Sequence, residues 1–499
     1  MIKDSLKQIF TYGTGTVAQS ALAFILLPLY LRFFEPAEYG VVSLLLVVVS
    51  LLNLFANAGM VSGLHMLYYE AEAGERKKLV FTTLIWYVCG AGVFVTALVI
   101  AAPYLSGLLF HTGDYAYAVR LVGGIVFFSM LMQIPLVVFR LEKKAKHYVA
   151  FSLLKFIADF GLKLVFIVSL GRGVNGYFES AIIVNAVVLC SVLPFTMKFI
   201  SLSFNMAYLK RLLRLGFPFV FSAIAVWTLG MSDRLILNHF SGASEVGIYS
   251  LANNFAFLFN ILLTSPFGLF WTPFFLSFAA ERPTEDIKAL FAKLIRYMFL
   301  IGSILVLAIS LGSGDVLRIF TDLFSAKAGY LEASKLVPLL TLGVFFHFLN
   351  GLFAGPLFVV KRPKIVAVAS LISSAANLGL NFLLIPRLGA VGAALTTAFA
   401  HALFMVIIYI WVQRFYPVNY RWWQLSMGFL FLIVSFAIGW QIDIAQPWIS
   451  LFARVIAGAG LFLLAAWFLS DILKKTERQN LLRYLRLKLR VATVKNTDS

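Results

Sequence analysis

The chain has 499 residues, of which 61% are hydrophobic and 13% are charged, with 41 Lys and Arg against 22 Asp and Glu. Soluble domains carry roughly 25% charged residues, so these proportions exclude a soluble globular fold. A membrane-spanning helix needs roughly 20 apolar residues, and the apolar residues of this chain suffice for many such helices. The chain is therefore predicted to be a polytopic membrane protein. Its formal charge of +19 fits the basic excess of cytoplasmic loops better than nucleic-acid binding.

Apolar segments of spanning length recur along the whole chain and predict about fourteen transmembrane helices. The first is expected to be a retained helix rather than a cleaved signal peptide, because no small-residue cleavage site follows it. A basic stretch at 198–216 separates the first six helices from the others. The predicted spans are 10–33, 41–64, 79–101, 118–139, 149–170, 176–197, 217–240, 247–276, 293–312, 333–360, 364–386, 389–412, 423–441 and 449–470.

The distribution of Lys and Arg predicts the orientation of these helices. Most basic residues lie in alternate connections and in the tail after residue 470, whereas the intervening connections are short and carry few. Because cytoplasmic loops are enriched in Lys and Arg, both termini are expected to be cytoplasmic. The stretch at 198–216 and the tail alternate Leu with basic residues, a pattern typical of helices on an anionic membrane surface, with a partner-binding helix as the alternative.

An internal repeat indicates the architecture. Segment 33–57 resembles 240–264, 207 residues later, and 162–176 resembles 378–392 at an offset of 216. Each repeat holds six helices, an even number, so both copies enter the membrane in the same direction. The identical pairs in the first match are Phe33/Phe240, Glu38/Glu245, Gly40/Gly247, Ser43/Ser250, Leu44/Leu251, Leu51/Leu258 and Asn53/Asn260.

The predicted fold is all-α and polytopic, with two parallel six-helix bundles that flank a cleft. We expect the following segments: an N-terminal bundle at 1–197, a cytoplasmic basic linker helix at 198–216, a C-terminal bundle at 217–412, two additional transmembrane helices at 423–470 and a basic amphipathic cytoplasmic tail at 471–499.

Charged residues inside the spans are candidate functional groups, since each costs roughly 2.5–3.5 kcal/mol to insert. Lys155, Asp159 and Lys163 follow an i, i+4, i+8 spacing on the fifth helix, so they share one face. The two lysines suit a pyrophosphate or an acidic sugar, and Asp159 is a candidate coupling group. The alternative is an intramembrane salt bridge that only holds the bundle together.

The second repeat offers a comparison for this charged face. At the offset of 216 the corresponding residues are Leu371, Ala375 and Gly379, which are apolar or small. The anionic headgroup is therefore expected to bind against the N-terminal bundle.

Asp233 and Arg234 form a second candidate site on the seventh helix. Adjacent helical residues project about 100° apart, so each side chain is expected to meet a group on another helix. Arg234 is a candidate for substrate binding and Asp233 for coupling, with structural pairing between helices as the alternative.

Four further polar residues are candidates for substrate binding. Arg140, at the cytoplasmic end of the fourth helix, could receive the headgroup or simply anchor the helix. Asn53 and Asn57 lie one turn apart on the second helix, and Asn260 matches Asn53 in the second repeat. Amides suit sugar hydroxyls and, equally, hydrogen bonds between helices.

Neither a cofactor nor a metal is expected. Residues 171–176 spell G-x-G-x-x-G, but they lie in a turn between two predicted spanning helices and do not follow a strand, as a dinucleotide site requires. Cys89 and Cys190 both lie inside apolar runs and are expected to be packed residues. Direct ATP hydrolysis is therefore not expected.

Two stretches, SDRLILNHFSGASEVGIYSLANNF at 232–255 and AANLGLNFLLIPRLGAVGAALTTA at 375–398, resemble the polysaccharide transporter family of oligosaccharide (O-antigen type) flippases. Its superfamily also contains the multidrug and toxin extrusion transporters and the lipid II flippases. The resemblance implies movement of a polyprenyl-pyrophosphate-linked oligosaccharide across a bacterial cytoplasmic (inner) membrane.

The predicted function is therefore an ion- or proton-coupled flippase that works by alternating access and is not an enzyme. Its partners would be the lipid-linked oligosaccharide and membrane lipids, with other glycan-assembly proteins as further candidates and no nucleic acid. A drug or small-solute exporter and a lipid II flippase of the same superfamily are the alternatives. A membrane glycosyltransferase or polymerase is a weaker one, because Glu35 and Glu38 share one short turn and form no catalytic cluster.

Overall fold

The computed structural model describes residue 24 and residues 27–468, and this part of the chain is almost entirely helical. Most of the predicted first helix and the whole tail at 471–499 lie outside the described residues. The α-helices are α1 (Leu27–Phe33), α2 (Pro36–Asn57), α3 (Met60–Tyr68), α4 (Ala73–Phe110), α5 (Ala116–Leu141), α6 (Ala145–Leu164), α7 (Gly173–Thr196), α8 (Met206–Gly216), α9 (Pro218–Phe259), α10 (Ser265–Glu281), α11 (Thr284–Phe324), α12 (Val337–Val359), α13 (Lys364–Phe415), α14 (Trp422–Gln441) and α15 (Pro447–Phe468).

Ten helices of the described residues are long and apolar enough to cross a membrane. Two of them cross it twice, because α9 reverses at Gly242 (φ 83°) and α13 at Gly389 (φ 53°). These glycines adopt a left-handed conformation that costs other residues energy. Together with the charged helix α6, the described residues provide thirteen of the fourteen predicted crossings, and of the first predicted helix they include only residue 24 and residues 27–33. The predicted all-α polytopic fold is confirmed.

The connections alternate between two ends of the molecule. We call the end that holds the Lys- and Arg-rich connections the basic face and the other end the opposite face. The basic face carries the connections at 69–72, 142–144, 197–205, 282–283, 360–363 and 416–421, and the opposite face carries those at 34–35, 111–115, 170–172, 242, 325–336, 389 and 442–446.

The repeat is visible in the turns, and it corrects one comparison made from the sequence. At the opposite-face end of the fifth helix, Gly173 and its equivalent Gly389 both have positive φ and lie 216 residues apart. At the basic-face end, Lys143 and Lys361 both have positive φ and lie 218 residues apart. The fifth helix is therefore longer than its counterpart, and it contains a π-helix at Val165–Ser169. Counted from the basic-face turn, the residues that correspond to the charged face of α6 are not the apolar or small set expected. They are Ser373, Asn377 and Asn381, all buried.

Helix α8 packs against the protein through its apolar face. Leu212 is buried, and a Cβ on Gly59 would lie 2.1 Å from the carbonyl oxygen of Gly216, so α3 and α8 are in backbone contact. The Tyr208 hydroxyl donates to Glu75 at 2.7 Å and lowers the pKa of that carboxyl. The alternation of Leu and basic residues predicts a helix on a membrane surface. In the structure its apolar face contacts the N-terminal bundle.

A cluster of four charges joins the last two helices to the C-terminal bundle. Asp315 is fully buried and lies 3.5 Å from Arg454 and 3.7 Å from Arg318. Asp443 accepts from both arginines at 3.0 Å. Arg318 lowers the pKa of the Asp443 carboxyl, so its contribution to stability is lost as the pH falls and this carboxylate is protonated. The pairs hold α15 against α11.

We predict that Asp315→Asn destabilises the purified protein in detergent micelles by about 3 kcal/mol, because it removes one partner from a buried ion pair. Asp443→Asn is the matched control, and because Asp443 is 64% exposed and solvent screens its ion pairs, its loss should be clearly smaller. Thermal unfolding of the two variants measures the difference. Equal losses would show that the buried pair does not join these helices.

Candidate functional site

The two bundles touch where α2 crosses the second half of α9, near the opposite face. A Cβ on Gly40 would lie 1.8 Å from the carbonyl oxygen of Ala243, and a Cβ on Gly247 would lie 1.9 Å from that of Pro36. Gly40 and Gly247 are equivalent positions of the repeat, as are Pro36 and Ala243. Contact between equivalent residues places the pseudo-twofold axis at this crossing, which requires glycine on both sides.

Polar contacts continue along the crossing. The hydroxyls of Ser43 and Ser250, another pair of equivalent residues, lie 2.6 Å apart. Asn254 donates to the hydroxyl of Tyr39 at 2.7 Å, and Trp227 donates to Ser50 at 2.8 Å nearer the basic face. The bundles are therefore joined by hydrogen bonds in addition to apolar packing, in which Leu27, Leu31 and Leu44 belong to the buried cluster of the C-terminal bundle.

The connection at 325–336 closes the opposite face. Its Lys327 donates a backbone hydrogen bond to Leu31 at 3.0 Å and forms an ion pair with Glu35 at 2.8 Å. Tyr330 donates to the backbone of Phe34 at 3.1 Å. The connection at 325–336 of the C-terminal bundle thus binds the turn at 34–35 and the end of α1 in the N-terminal bundle. The cleft is closed at this end.

A cavity of about 200 Å³ lies between the bundles beneath this closure. We call it the opposite-face cavity. Tyrosine, serine, asparagine and arginine supply its polar groups, and none of its lining residues in the described part of the chain is acidic. It is lined by Tyr30, Tyr39, Val42, Ser43, Leu46, Val47, Tyr177, Met231, Arg234, Ser250 and Asn254.

A second cavity of about 300 Å³, the basic-face cavity, lies between the same bundles nearer the basic face. Its polar groups are amides and hydroxyls, and its lining in the described residues carries no charge. It is lined by Ser50, Asn53, Leu54, Asn57, Gly59, Ser62, Gln133, Phe219, Val220 and Ala223.

Arg234 and Asp233 have separate partners, as the helical spacing predicts. Arg234 lines the opposite-face cavity, where its guanidinium donates to Ser250 at 3.2 Å and contacts the sulfur of Met231 at 2.8 Å. Asp233 is buried, and its carboxylate accepts hydrogen bonds from the Tyr249 hydroxyl and from the backbone of Arg234. The cation therefore faces the cleft, whereas the carboxylate lies inside the C-terminal bundle.

The charged face of α6 is arranged around Lys163. Its ammonium lies 2.6 Å from the Asp159 carboxylate and 3.9 Å from the centre of the Tyr177 ring. Lys155 is half-buried and lies two turns earlier on the same face. Lys163 and Asp159 thus form an ion pair directly behind a residue of the opposite-face cavity.

The remaining predicted residues fall in different places. Asn53 and Asn57 line the basic-face cavity, where Asn53 accepts from Ser129 at 3.1 Å and Asn57 from Tyr87 at 3.0 Å. Asn260 begins a π-helix at Asn260–Thr264 and lines neither cavity. Arg140 is exposed at the basic face, with its guanidinium 5.6 Å from the centre of the Tyr148 ring.

Three tyrosines of the opposite-face cavity and Gln133 of the basic-face cavity were not predicted as site residues from the sequence. Tyrosine is common in apolar helices, so nothing in composition sets Tyr30, Tyr39 or Tyr177 apart. Gln133 was the more visible signal, because it is a polar residue in the otherwise apolar stretch of α5.

Comparison with known proteins places this arrangement in a family. Residues 29–322 match the sequence profile of the polysaccharide biosynthesis protein family. The chain belongs to this family. The succinoglycan biosynthesis transport protein ExoT of Rhizobium meliloti is 26% identical over 274 residues, which cover 52% of this chain and 51% of ExoT. The uncharacterized membrane protein MJ1068 of Methanocaldococcus jannaschii is 26% identical over 219 residues, 42% of this chain and 40% of that protein. The matches thus span about half or less of these relatives.

Solved structures show the same fold. The lipid II flippase MurJ in an inward closed conformation has a TM-score of 0.71 at 17% identity, and the match covers 94% of this chain and 99% of MurJ. An inward-facing multidrug resistance MATE family transporter of the MOP superfamily has a TM-score of 0.68 at 15% identity, covering 82% and 97%. The chain therefore has the fold shared by flippases and exporters of this superfamily.

We predict that a disulfide between Ser43→Cys and Ser250→Cys blocks transport. The hydroxyls lie 2.6 Å apart, close to the roughly 2.05 Å of an S–S bond, and the bond would fix the bundles together. Cys89 and Cys190 are exposed in the structure rather than buried as expected, so the background would carry Cys89→Ala and Cys190→Ala, and each single cysteine variant is a control. Transport activity under oxidising and then reducing conditions is the measurement. Undiminished transport by a fully cross-linked protein would show that this contact stays closed during transport.

Proposed function

We propose that the protein is a flippase that moves a polyprenyl-pyrophosphate-linked oligosaccharide across the membrane by alternating access. One observation carries the proposal: two polar cavities lie on the interface between the repeats, one cationic and one rich in amides. Transporters built from repeats bind their substrate at such an interface and rock one repeat against the other. The isoprenoid chain would remain in the lipid while the polar headgroup passes between the bundles.

The chemistry of the cavities supports a lipid-linked saccharide. Arg234 can pair with a phosphate or carboxylate, and Lys155 and Lys163 are further candidate cations on α6. The amides of Asn53, Asn57 and Gln133 can donate to and accept from sugar hydroxyls. The biosynthetic role named for ExoT and for the family supports a glycan cargo.

Two alternatives from the superfamily have specific counter-observations. A lipid II flippase is expected to place several arginines of its first two helices in the cavity. Within the described part of α1 and α2, Arg32 is exposed near the opposite face and lines neither cavity. An exporter of cationic drugs would need acidic groups where Arg234 lies. A glycosyltransferase would need an acidic catalytic cluster, and Glu35 instead pairs with Lys327.

The basic face is proposed to be cytoplasmic, by the enrichment of Lys and Arg in cytoplasmic connections. The host membrane would be the bacterial inner membrane, with both termini inside the cell. The closed opposite face and the basic-face cavity then describe a protein that receives its cargo from the cytoplasmic side.

Asp233 is the preferred group for coupling to an ion or proton gradient. Asp159 is already paired with Lys163 at 2.6 Å, so its charge is balanced within its own helix. Asp233 is buried and accepts from a neutral tyrosine hydroxyl, and no salt bridge to it is present among the described residues. A proton or cation arriving there would change the charge inside the C-terminal bundle, next to Arg234.

We predict that deleting the gene traps lipid-linked oligosaccharide in the inner leaflet and removes the surface glycan. Arg234→Gln and the double variant Lys155→Ala/Lys163→Ala should each reduce complementation at least tenfold at normal abundance. The first removes the cation of the opposite-face cavity, and the second removes both lysines of α6, one of which packs on Tyr177 of that cavity. Arg172→Gln, which removes an exposed cation of the opposite face, is the matched control and should complement fully. Normal surface glycan in the deletion strain, without a redundant flippase, would contradict the substrate class.

We predict that Asp233→Asn uncouples transport from the gradient. The amide keeps the size of the carboxylate but cannot change its charge, so proteoliposomes should show the same slow flipping with and without an imposed gradient. Asp159→Asn should retain gradient-dependent flipping. The reverse pattern would assign coupling to α6.

A further inference from the structure

Lys163 is enclosed by partners on its own side of the cleft. Its side chain is 9% exposed, its ammonium is bound to Asp159 at 2.6 Å, and it covers the ring of Tyr177 at 3.9 Å. Lys163 does not belong to the lining of the opposite-face cavity, but Tyr177 does. The contact of this lysine with the cavity lining is therefore made through the ring of Tyr177.

Tyr177 is held on two sides. Lys163 covers one face of its ring, and Tyr30 packs against it edge to face with ring centres 6.0 Å apart. Such contacts restrict the ring to one orientation. Among the described residues, no hydrogen-bond partner of the Tyr177 hydroxyl is present, so this donor is available to a ligand.

The neighbouring groups in the cavity select for negative charge. Arg234 supplies a fixed cation, and Tyr39 and Asn254, which also line the cavity, form a hydrogen bond between the two bundles. Hydrogen bonds in which one partner is ionised are roughly twice as strong as neutral ones. A phosphate or carboxylate oxygen beside Arg234 would therefore be a good acceptor for the Tyr177 hydroxyl.

We propose that Tyr177 contacts the anionic group of the transported lipid in the opposite-face cavity, and that Lys163 is a positioning residue that acts through Tyr177. This inference rests on the proposed function, because it names the side chain that recognises the cargo. The recognised chemistry is a phosphate or carboxylate oxygen, which could come from the pyrophosphate linkage or from an acidic sugar.

A double-mutant cycle on the full-length purified protein tests the proposal. The variants are Tyr177→Phe, Lys163→Met and their combination, and the probes are farnesyl pyrophosphate, methyl glucuronide and, as the neutral control, methyl glucoside. Tyr177→Phe should weaken binding of the recognised anion roughly tenfold, as expected for the loss of a hydrogen bond to a charged group. The probe that loses affinity identifies the source of the anion, and methyl glucoside should be unaffected.

Lys163→Met should weaken binding of the same probe, but it should add almost nothing once Tyr177→Phe is present, because residues that act through one contact are not additive. Lys163→Arg should restore binding, since arginine can pair with Asp159 and also stack on the ring. Lys155→Met is the matched comparison on the same face, and its effect should add to that of Tyr177→Phe. Melting temperatures exclude unfolding as the cause.

Three results would overturn the proposal. Unchanged binding by Tyr177→Phe would remove the tyrosine from the site. Equal effects of Lys163→Met with and without Tyr177→Phe would mean that the lysine contacts the anion itself. If the wild-type protein binds neither anionic probe, the proposed function fails as well, which separates that outcome from a failure of the tyrosine alone.

Discussion

The backbone contact between α2 and the second half of α9 is the constraint on which the rest of the structure depends. Gly40 and Gly247 lie so close to the opposing backbone that any side chain would separate the helices. The contact relates equivalent residues of the two repeats and therefore lies on the pseudo-twofold axis. Ser43 and Ser250 add a hydrogen bond at the same place, which can be broken and remade more readily than a packed apolar core.

Both cavities follow from this crossing. The helices diverge from it, and the space between them is filled on one side by the tyrosines and Arg234, and nearer the basic face by amides and hydroxyls. The connection at 325–336 reinforces the closure through Lys327 and Tyr330. In the proposed mechanism, the same contact must open to release a headgroup on the opposite face.

Sequence reasoning could predict the fold because long apolar segments and the placement of Lys and Arg report directly on membrane crossings. It also paired Gly40 with Gly247 and Ser43 with Ser250, although it could not show that these residues touch. It failed where backbone irregularity matters. The π-helix at Val165–Ser169 has no clear sequence signal, so one constant offset was applied to the whole fifth helix. That error hid the correspondence of the charged residues with Ser373, Asn377 and Asn381.

The candidate site was predictable only in part, for a related reason. Charged residues inside spans stand out because each is costly, and Arg234 does line a cavity. Asn260 and Arg140 were also candidates for substrate binding from the sequence. Asn260 lies in a π-helix and Arg140 is exposed at the basic face. Tyr177 became visible only when the structure placed Lys163 behind its ring.

The central claim is that the bundles separate at the opposite face during transport. Spin labels at Asp114→Cys and Arg387→Cys, exposed positions of the two bundles at that face, would measure it in a background of Cys89→Ala and Cys190→Ala. Pulsed electron resonance on proteoliposomes should show one short distance without cargo and a second, longer population when prenyl-pyrophosphate-linked oligosaccharide is added. A single unchanged distance in preparations that still flip the lipid would contradict the account.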